Sequence, residues 1–406
     1  MFQDSIAAIQ DELIAIYKDL HQHPEPGYME YRTAGIVAQY LRQCGLEVTE
    51  GVALNGVVGV LDSGRPGKTL MMRADMDCLR IKELTGCDYQ SQNEGCMHAC
   101  GHDSHVTMLL GAAKVLSQHK DAFSGKIKFF FQPAEEQIDP SMVETVRKAG
   151  YNGEGGAGFL IQEGELDDVD ACAIMHCQPS IPFGTVQIAK RNACASSDLF
   201  DVTIVGKGGH GARPHEAVDP VLAMTEAIQA IHALPAREIN CLETCVISVG
   251  QVETPGSVWN AVAEKARFVG GFRTFNPEVR AYLAHRIPEL AEDIAKAHRC
   301  TTEQSFLHGY MPCLNDEHMA QVVARSCREL LGEDKVDLTD VPAMTSEDAG
   351  EYLARVPGVF FWLGAGDPEH TLHNPYFLPS LDMIPLGVKV HVQNAVSMLA
   401  ELNGTE

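Results

Sequence analysis

Short, continuous apolar runs are the feature that most limits the folds open to this chain. Within them apolar residues cluster instead of alternating with polar ones, which is typical of strands buried on both faces of a mostly parallel sheet. The runs are GVVGVL at 56–61, TLMM at 69–72, KIKFFF at 126–131, ACAIM at 171–175 and VFFWLG at 359–364. Stretches with helical spacing lie between several of them. The pattern predicts an α/β domain, with a mixed, mostly parallel sheet flanked by helices, built from both ends of the chain.

The middle of the chain has a different order of elements. A strand at 199–206 is followed by a helix that begins at Asp219–Pro220, and the strands 245–252 and 266–272 come next. A helix from Asn276–Pro277 and a strand at 301–310 complete a β-α-β-β-α-β order, which is typical of a ferredoxin-like module. We therefore expect a first catalytic part at 1–190, an inserted domain at 191–308 and a second catalytic part at 309–406.

Composition excludes several classes of protein. The 406 residues carry 31 Lys and Arg against 55 Asp and Glu, a formal net charge of −24. This balance argues against nucleic acid or an anionic membrane as the main partner. The N-terminus MFQDSIAAIQDEL has acidic residues where a signal peptide needs basic ones, and the 13 scattered cysteines do not suggest a disulfide framework. We expect a cytoplasmic protein with reduced thiols.

The densest candidate site is MHACGHDSHVTMLL at 97–110. Cys100 and His102 are separated by a single glycine just before an apolar helix, so a thiolate and an imidazole can face one metal ion. The spacing alone leaves local packing equally open. His98 and His105 lie close by, and we expect structural or supporting roles for them.

A pair of glutamates follows the strand KIKFFF directly, in QPAEEQ at 132–137. Adjacent side chains usually point in different directions, so one of Glu135 and Glu136 can bind a metal while the other acts as general base. The alternative is an exposed start of a loop.

Further polar residues stand at comparable positions: His176 follows ACAIM, His373 lies in LHNPYF after VFFWLG, and Asp75 and Asp77 end the strand TLMM. The two aspartates can bind metal, orient a ligand histidine, or support the turn by pairing with an arginine. Sites in open α/β sheets form outside the carboxyl ends of the strands, where all these residues are expected. A set of Cys, His and Glu suits Zn²⁺, Co²⁺, Ni²⁺ or Mn²⁺ better than Mg²⁺ or Ca²⁺.

The motifs, taken in order, resemble one family. They are RADMDCL, MHACGHDSHVTMLLGAAKVL, QPAEE, GKGGHGARPHEAVDP, TSED and LHNPYF. Together they resemble the metallo-amidohydrolases of the aminoacylase/carboxypeptidase type, and in particular the hippurate hydrolases, N-acyl-amino-acid amidohydrolases and auxin-conjugate hydrolases. The resemblance covers nearly the whole chain. It implies a catalytic domain that binds two divalent transition-metal ions and an inserted lid domain.

The resemblance also implies roles for single residues of the catalytic domain. Glu135 corresponds to the general base. Asp75 stands where wider relatives have a histidine, so ligation passes to the Cys100–His102 pair, and Asp77 keeps an orienting role. The implied metal ligands are Cys100, His102, Glu136, His176 and His373.

Three residues of the inserted domain complete the implied site. His210 would approach the metals and polarise the scissile carbonyl oxygen, and in related enzymes this histidine often comes from a partner subunit. Asn260 and Arg273 match positions that hold the substrate carboxylate or the developing oxyanion. The resemblance thus implies a homodimer or higher homo-oligomer formed through the lid.

The implied reaction is hydrolysis of the amide bond of N-acyl amino acids by a metal-bridged water, with Glu135 as base. Three alternatives stay open. The chain can bind a metal or small molecule without catalysis, act as a dipeptidase or carboxypeptidase on short peptides, or use Cys100 with His102 as a nucleophile.

The chain departs from the family pattern at several positions that leave substrate preference open. Arg80 stands where proline is usual, and Ala349 where a bulky aromatic residue is common. The segment NAVAEKA at 260–266 lacks the usual proline and aspartate, and the segment at 138–158 is longer than typical.

Overall fold

The computed structural model describes residues 2–405, which form two compact units. Of the described residues, the first comprises 2–193, 313–342 and 348–405, and the second comprises Cys194–Pro312 and Ala343–Glu347. The second unit begins three residues after the expected start of the insertion at 191 and ends four residues after its expected end at 308. It also takes in residues 343–347, for which the sequence carried no signal.

The elements follow the chain in this order. The strands are β1 Glu47–Val52, β2 Gly56–Asp62, β3 Thr69–Asp75, β4 Lys126–Gln132, β5 Ala171–Gln178, β6 Val186–Ala189, β7 Asn192–Cys194, β8 Asp198–Val205, β9 Gly209–His210, β10 Cys245–Glu253, β11 Ala261–Val262, β12 Lys265–Thr274, β13 Thr301–His308, β14 Cys313–Leu314, β15 Val336–Thr339 and β16 Gly358–Gly364. The helices are α1 Gln3–Gln22, α2 Tyr31–Gln43, α3 His102–Gln118, α4 Val143–Lys148, α5 Gly156–Gln162, α6 Pro220–Arg237, α7 Pro277–Ala297, α8 Glu317–Leu331, α9 Gly350–Leu353 and α10 Met383–Asn403.

The first unit is built on a sheet in the order β1-β2-β4-β3-β5-β16-β6-β15. Strands β4, β3, β5 and β16 run parallel to one another, as do β6 and β15, whereas β1, β2 and the β16–β6 pair are antiparallel. Every residue of β3 and β16 is buried, which explains the apolar runs LMM within β3 and VFFWL within β16. The predicted mixed, mostly parallel sheet with flanking helices is therefore confirmed.

The second unit carries a four-stranded antiparallel sheet in the order β10-β12-β8-β13. Helices α6 and α7 pack against each other and against this sheet. Each helix starts where its cap residue predicts: the Asp219 side chain accepts from the Val221 N–H, and Asn276 accepts from the Glu278 N–H. The order of strands and helices confirms the ferredoxin-like module.

The parallel strands determine where the polar motifs meet. Because β4, β3, β5 and β16 run in the same direction, their carboxyl ends lie at one edge of the sheet. Asp75, the glutamate pair after β4 and His176 near the end of β5 are therefore brought to this edge.

No helix within residues 2–405 is both long and apolar enough to cross a bilayer.

Asn315 joins two strands of the first unit by a fully buried side chain. Its Nδ2 donates to Ala189 O at 2.7 Å and to Phe360 O at 3.0 Å, and its Oδ1 accepts from Phe360 N at 2.8 Å. The amide thus satisfies three backbone groups between β6 and β16, where the strands offer only a short ladder.

We predict that Asn315→Leu destabilises the first unit, because it leaves buried backbone groups without partners. The cost is roughly 1–3 kcal/mol for each group left unsatisfied. The measurement is the melting temperature and the urea midpoint. Asn152→Ala, at an exposed site of the same unit, is the matched control and should match the wild type. A Leu variant as stable as this control would contradict the prediction.

Candidate metal centre

Two overlapping groups of potential ligand atoms lie at the carboxyl edge of the first unit's sheet. Within each group the ligand atoms lie within 4.8 Å of one another. One group is Cys100, His102 and Glu136; the other is Asp75, His102, His105 and His176. The remaining predicted ligand, His373, places its Nε2 3.0 Å from Glu136 Oε1. The structure thus brings together all five predicted ligands: Cys100, His102, Glu136, His176 and His373.

The turn that carries Cys100 and His102 depends on the glycine between them. Gly101 has a φ of 84°, in the left-handed region, and a Cβ atom there would collide with the Cys177 sulfur. Helix α3 begins directly after it at His102. The Cys100 Sγ lies 3.6 Å from His176 Nε2, so the turn brings the thiol to β5.

The tautomer of His102 leaves one ring nitrogen available for a metal. Its Nδ1 donates to Asp77 O at 2.9 Å and lies 3.2 Å from Asp77 Oδ1. Its Nε2 is buried and has no hydrogen-bond partner among residues 2–405, with Asp75 Oδ2 3.5 Å away. An orphaned imidazole nitrogen beside a thiol and carboxylates fits a divalent metal ligand.

Asp77 connects two of the candidate ligands. While Oδ1 faces His102, Oδ2 accepts a hydrogen bond from the Glu136 backbone N–H at 2.9 Å. One carboxylate therefore orients an imidazole and the segment that carries a glutamate. The orienting role expected for Asp77 stays a prediction.

His105 belongs to one of the two groups, but both of its ring nitrogens are engaged. Nε2 accepts from the Cys177 N–H at 2.9 Å, which leaves Nδ1 to donate to Asp75 Oδ1 at 2.6 Å. The second oxygen of Asp75 accepts from Arg73 at 2.7 Å. Burial tends to raise the Asp75 pKa, but His102, Arg73 and His105 together hold it well below its usual range. His105 therefore supports Asp75, in keeping with the supporting role expected for it.

His176 lies inside β5, two residues before its end, rather than after the strand as the sequence suggested. Its Nδ1 donates to Cys177 O at 2.7 Å, so Nε2 is directed to Cys100. The ring packs edge-on against Trp362 with centroids 5.2 Å apart. Burial, together with His105, keeps the His176 pKa well below its usual range. The imidazole is therefore neutral at pH 7, the form that ligates metals.

The two adjacent glutamates make different contacts, as their expected division of roles requires. Glu136 faces His373 and lies beside Cys100, whereas Glu135 is 5% exposed and its Oε1 accepts from the Asp348 N–H at 3.4 Å. Burial tends to raise the Glu136 pKa, but hydrogen bonding with His373 and the charge of His102 lower it. Glu136 is thus ionised and ready to bind a cation.

His373 is held at the site by its backbone. Its φ of 64° is unusual for a residue with a side chain, and its N–H donates to Ala99 O at 2.8 Å. This bond joins the LHNPYF loop to the turn that carries Cys100. The side chain is 51% exposed, so the centre is accessible on this side.

A buried charged cluster supports the same turn from α1, and no motif signalled it in the sequence. His21 Nδ1 lies 2.6 Å from Asp103 Oδ2, and Nε2 lies 3.2 Å from Glu83 Oε1. Burial alone would lower the His21 pKa, but the hydrogen bonds and charges of Asp103 and Glu83 raise it to about 10. The imidazolium therefore ties α1 to the first turn of α3, next to His102. His98 is buried nearby with its pKa lowered to about 4, mainly by desolvation.

The three residues predicted for the lid lie in the second unit. His210 in β9 is exposed and pairs with Ala261 of β11, while Asn260 O accepts from the Gly211 N–H at 3.0 Å. His210 and Asn260 thus share a two-stranded ribbon. Arg273 lies in β12, where its Nη1 donates to Met344 O at 3.0 Å.

The fold and this cluster define a class: metal-binding hydrolases whose site forms at the carboxyl edge of an α/β sheet. Residues 71–396 match Peptidase family M20/M25/M40, and the chain belongs to this family. It is a metallo-hydrolase that acts on amide bonds.

Similar proteins are known in sequence and in structure. Thermostable carboxypeptidase 1 of Saccharolobus solfataricus is 33% identical over 97% of both chains. N-acetyl-L-cysteine deacetylase of Bacillus subtilis is 34% identical over 92% of this chain and 85% of its own length. The Bacillus subtilis YXEP protein, described as a dinuclear metal binding peptidase from the M20 family, superimposes with a TM-score of 0.81 at 27% identity, covering 97% of this chain and 99% of its own.

We predict that the stability contributed by His21 depends on pH. Its pKa is about 10 in the folded protein, against about 6.5 when unfolded, so this stability is complete below about pH 6.5 and is lost as pH rises through 10. His21→Gln breaks a buried ion pair and should cost about 3–5 kcal/mol near neutral pH.

The measurement is the difference in melting temperature between wild type and His21→Gln from pH 6.5 to 10.5. The difference should shrink towards the alkaline end. His285→Gln, at an exposed position, is the control and should stay close to the wild type. A difference that stays constant across this range would rule out the charged form of His21.

Proposed function

We propose that this chain hydrolyses the amide bond that joins an acyl group to an amino acid. The observation that carries the proposal is the buried, unpartnered Nε2 of His102 inside a cluster of Cys, His and Glu side chains. The names of two relatives, an N-acetyl-L-cysteine deacetylase and a carboxypeptidase, support amide substrates that contain an amino acid. The carboxypeptidase relative favours a second candidate function, the cleavage of short peptides.

We assign the metal ligands as Cys100, His102, Glu136, His176 and His373. One thiolate, three imidazoles and one carboxylate form a borderline-soft set that suits Zn²⁺, Mn²⁺, Co²⁺ or Ni²⁺. Two such ions would lower the pKa of water towards neutrality and polarise a carbonyl group. The Bacillus subtilis YXEP protein, described as a dinuclear metal binding peptidase, supports a site for two metal ions.

The other residues of the centre handle the proton and keep the ligands in place. Glu135 takes the proton of the attacking water and delivers it to the leaving amine nitrogen. Asp77 holds His102 in the tautomer that exposes Nε2. A neutral His176 and an ionised Glu136 are already in the forms that bind cations.

The lid residues bind the substrate in this proposal. His210 donates to the carbonyl oxygen as negative charge develops on it, and Asn260 shares its ribbon. Arg273 pairs with the amino-acid carboxylate through its guanidinium group. We also propose a homodimer or higher oligomer, because the second unit's sheet ends in the edge strands β10 and β13. A cytoplasmic location is proposed separately, from the acidic N-terminal segment and the scattered cysteines of the sequence.

The proposal predicts metal-dependent release of an amino acid from N-acyl substrates and its loss in Glu135→Gln. Acetyl, benzoyl, indolyl and long-chain derivatives of one amino acid, together with dipeptides, are assayed with Mn²⁺, Co²⁺, Ni²⁺ and Zn²⁺. Removing the base should lower kcat roughly 10²- to 10⁴-fold with metal content unchanged. Glu144→Gln, at an exposed site, is the control. Full activity of Glu135→Gln would exclude the base, and cleavage of dipeptides alone would favour the second candidate.

A separate prediction concerns the thiol ligand. Cys100→Ser replaces a soft thiolate by a weak hydroxyl donor, so the bound metal measured by elemental analysis should fall below that of the wild type. Cys241→Ser, at an exposed cysteine, should bind as much metal as the wild type. Unchanged metal in Cys100→Ser would refute ligation. Activity that survives chelation but not alkylation would instead favour a cysteine nucleophile.

A further inference from the structure

A cavity of about 270 Å³ opens beside Glu136 in the first unit. Two segments line it, 78–81 after β3 and 136–140 after β4, together with Pro26 and Gly27. Because both segments follow strands that end at the metal centre, the cavity adjoins the centre and shares Glu136 with it. The proposed reaction assigns no part to this space.

The lining of the cavity is mainly hydrocarbon. Leu79 and Ile81 are half-buried, Ile138 is 8% exposed, and prolines 26 and 140 add further apolar surface. The charged side chains of Arg80 and Asp139 also line the cavity, but they pair with each other. The remaining lining therefore favours an apolar group, because burying a charged group costs hydration.

The walls are held in place before any ligand binds. Arg80 donates to Asp139, with Nε 2.9 Å from Oδ2 and Nη2 also in contact. The Asp139 backbone N–H donates to Gly27 O at 3.2 Å, and Leu79 exchanges two hydrogen bonds of 3.0 Å with Met97. These bonds join four segments that are separated in sequence, so the cavity is a formed feature of the fold. A preformed pocket binds with little ordering cost.

The size of the cavity sets what it can accept. Apolar cavities of roughly 150 Å³ already admit benzene, whereas complete small-molecule ligands occupy sites of about 300–1,000 Å³. A cavity of about 270 Å³ therefore holds one ring or a short branched chain, but not a whole substrate.

We propose that this cavity binds the acyl group of the substrate and selects aromatic or short branched acyl groups over acetyl. The inference rests on the proposed function. There, Arg273 of the second unit pairs with the carboxylate of the amino-acid part of the substrate. The acyl group is the part of the substrate that has no binding residues assigned yet. It contains the scissile carbonyl, and this carbonyl must reach the metal centre that includes Glu136.

The test compares N-benzoyl and N-acetyl derivatives of one amino acid. Ile81→Phe and, separately, Leu79→Phe place a larger side chain in the cavity. In each variant the ratio of kcat/KM for benzoyl over acetyl should fall by roughly tenfold or more, the scale on which small changes of a hydrophobic pocket act. Arg42→Ala removes an exposed arginine paired with Glu50 far along the sequence from the cavity, and it should keep the wild-type ratio.

A binding measurement separates this inference from the proposed function. In Glu135→Gln, calorimetry should show tighter binding of the N-benzoyl than of the N-acetyl compound, and Ile81→Phe added to that variant should remove the preference. If the wild type hydrolyses no N-acyl amino acid, the proposed function fails, and the calorimetry still decides on the cavity. Equal affinities in Glu135→Gln, or an unchanged kcat/KM ratio in both filled variants, would overturn the inference.

Discussion

The shared carboxylate of Asp77 is the interaction on which the metal centre depends. One oxygen faces His102 and the other accepts from the Glu136 backbone, so two candidate ligands from different segments are set by one group. Because the site is buried, neither contact competes with water. Loss of this carboxylate would free the segment after β4 and leave the His102 ring held on this side by the Asp77 backbone oxygen alone.

Around this carboxylate the protein buries several more charges, and each has a partner. Asp75 lies between Arg73 and His105, and His21 lies between two carboxylates. Buried ions are tolerated only when paired and hydrogen-bonded, so these groups constrain one another's positions. The result is a network of buried, paired charges around the candidate ligands.

Many parts of this arrangement were predictable from local patterns. The apolar runs predicted the positions of these strands, because a strand buried on both faces carries mainly apolar side chains on each face. The Cys100-Gly101-His102 turn was recognisable because glycine adopts a positive φ without the strain that a Cβ atom brings. The role of His21 was not predictable, because its partners Glu83 and Asp103 are 62 and 82 residues away and no motif joins them. The pairing of Arg80 with Asp139 in the cavity wall was not predictable from the sequence for the same reason. Both residues nevertheless lie where the chain departs from its family's pattern.

The sequence by itself determined the fold class, because that follows from periodicity, and the family, because the local motifs carry the resemblance. The candidate ligands are what that resemblance implies. Only the tertiary structure decided which ring nitrogens remain available, which histidine supports a carboxylate and which glutamate faces His373. These properties depend on hydrogen bonds between residues distant in the chain. A side chain's protonation and direction follow from what packs around it, and that is settled only when the chain has folded.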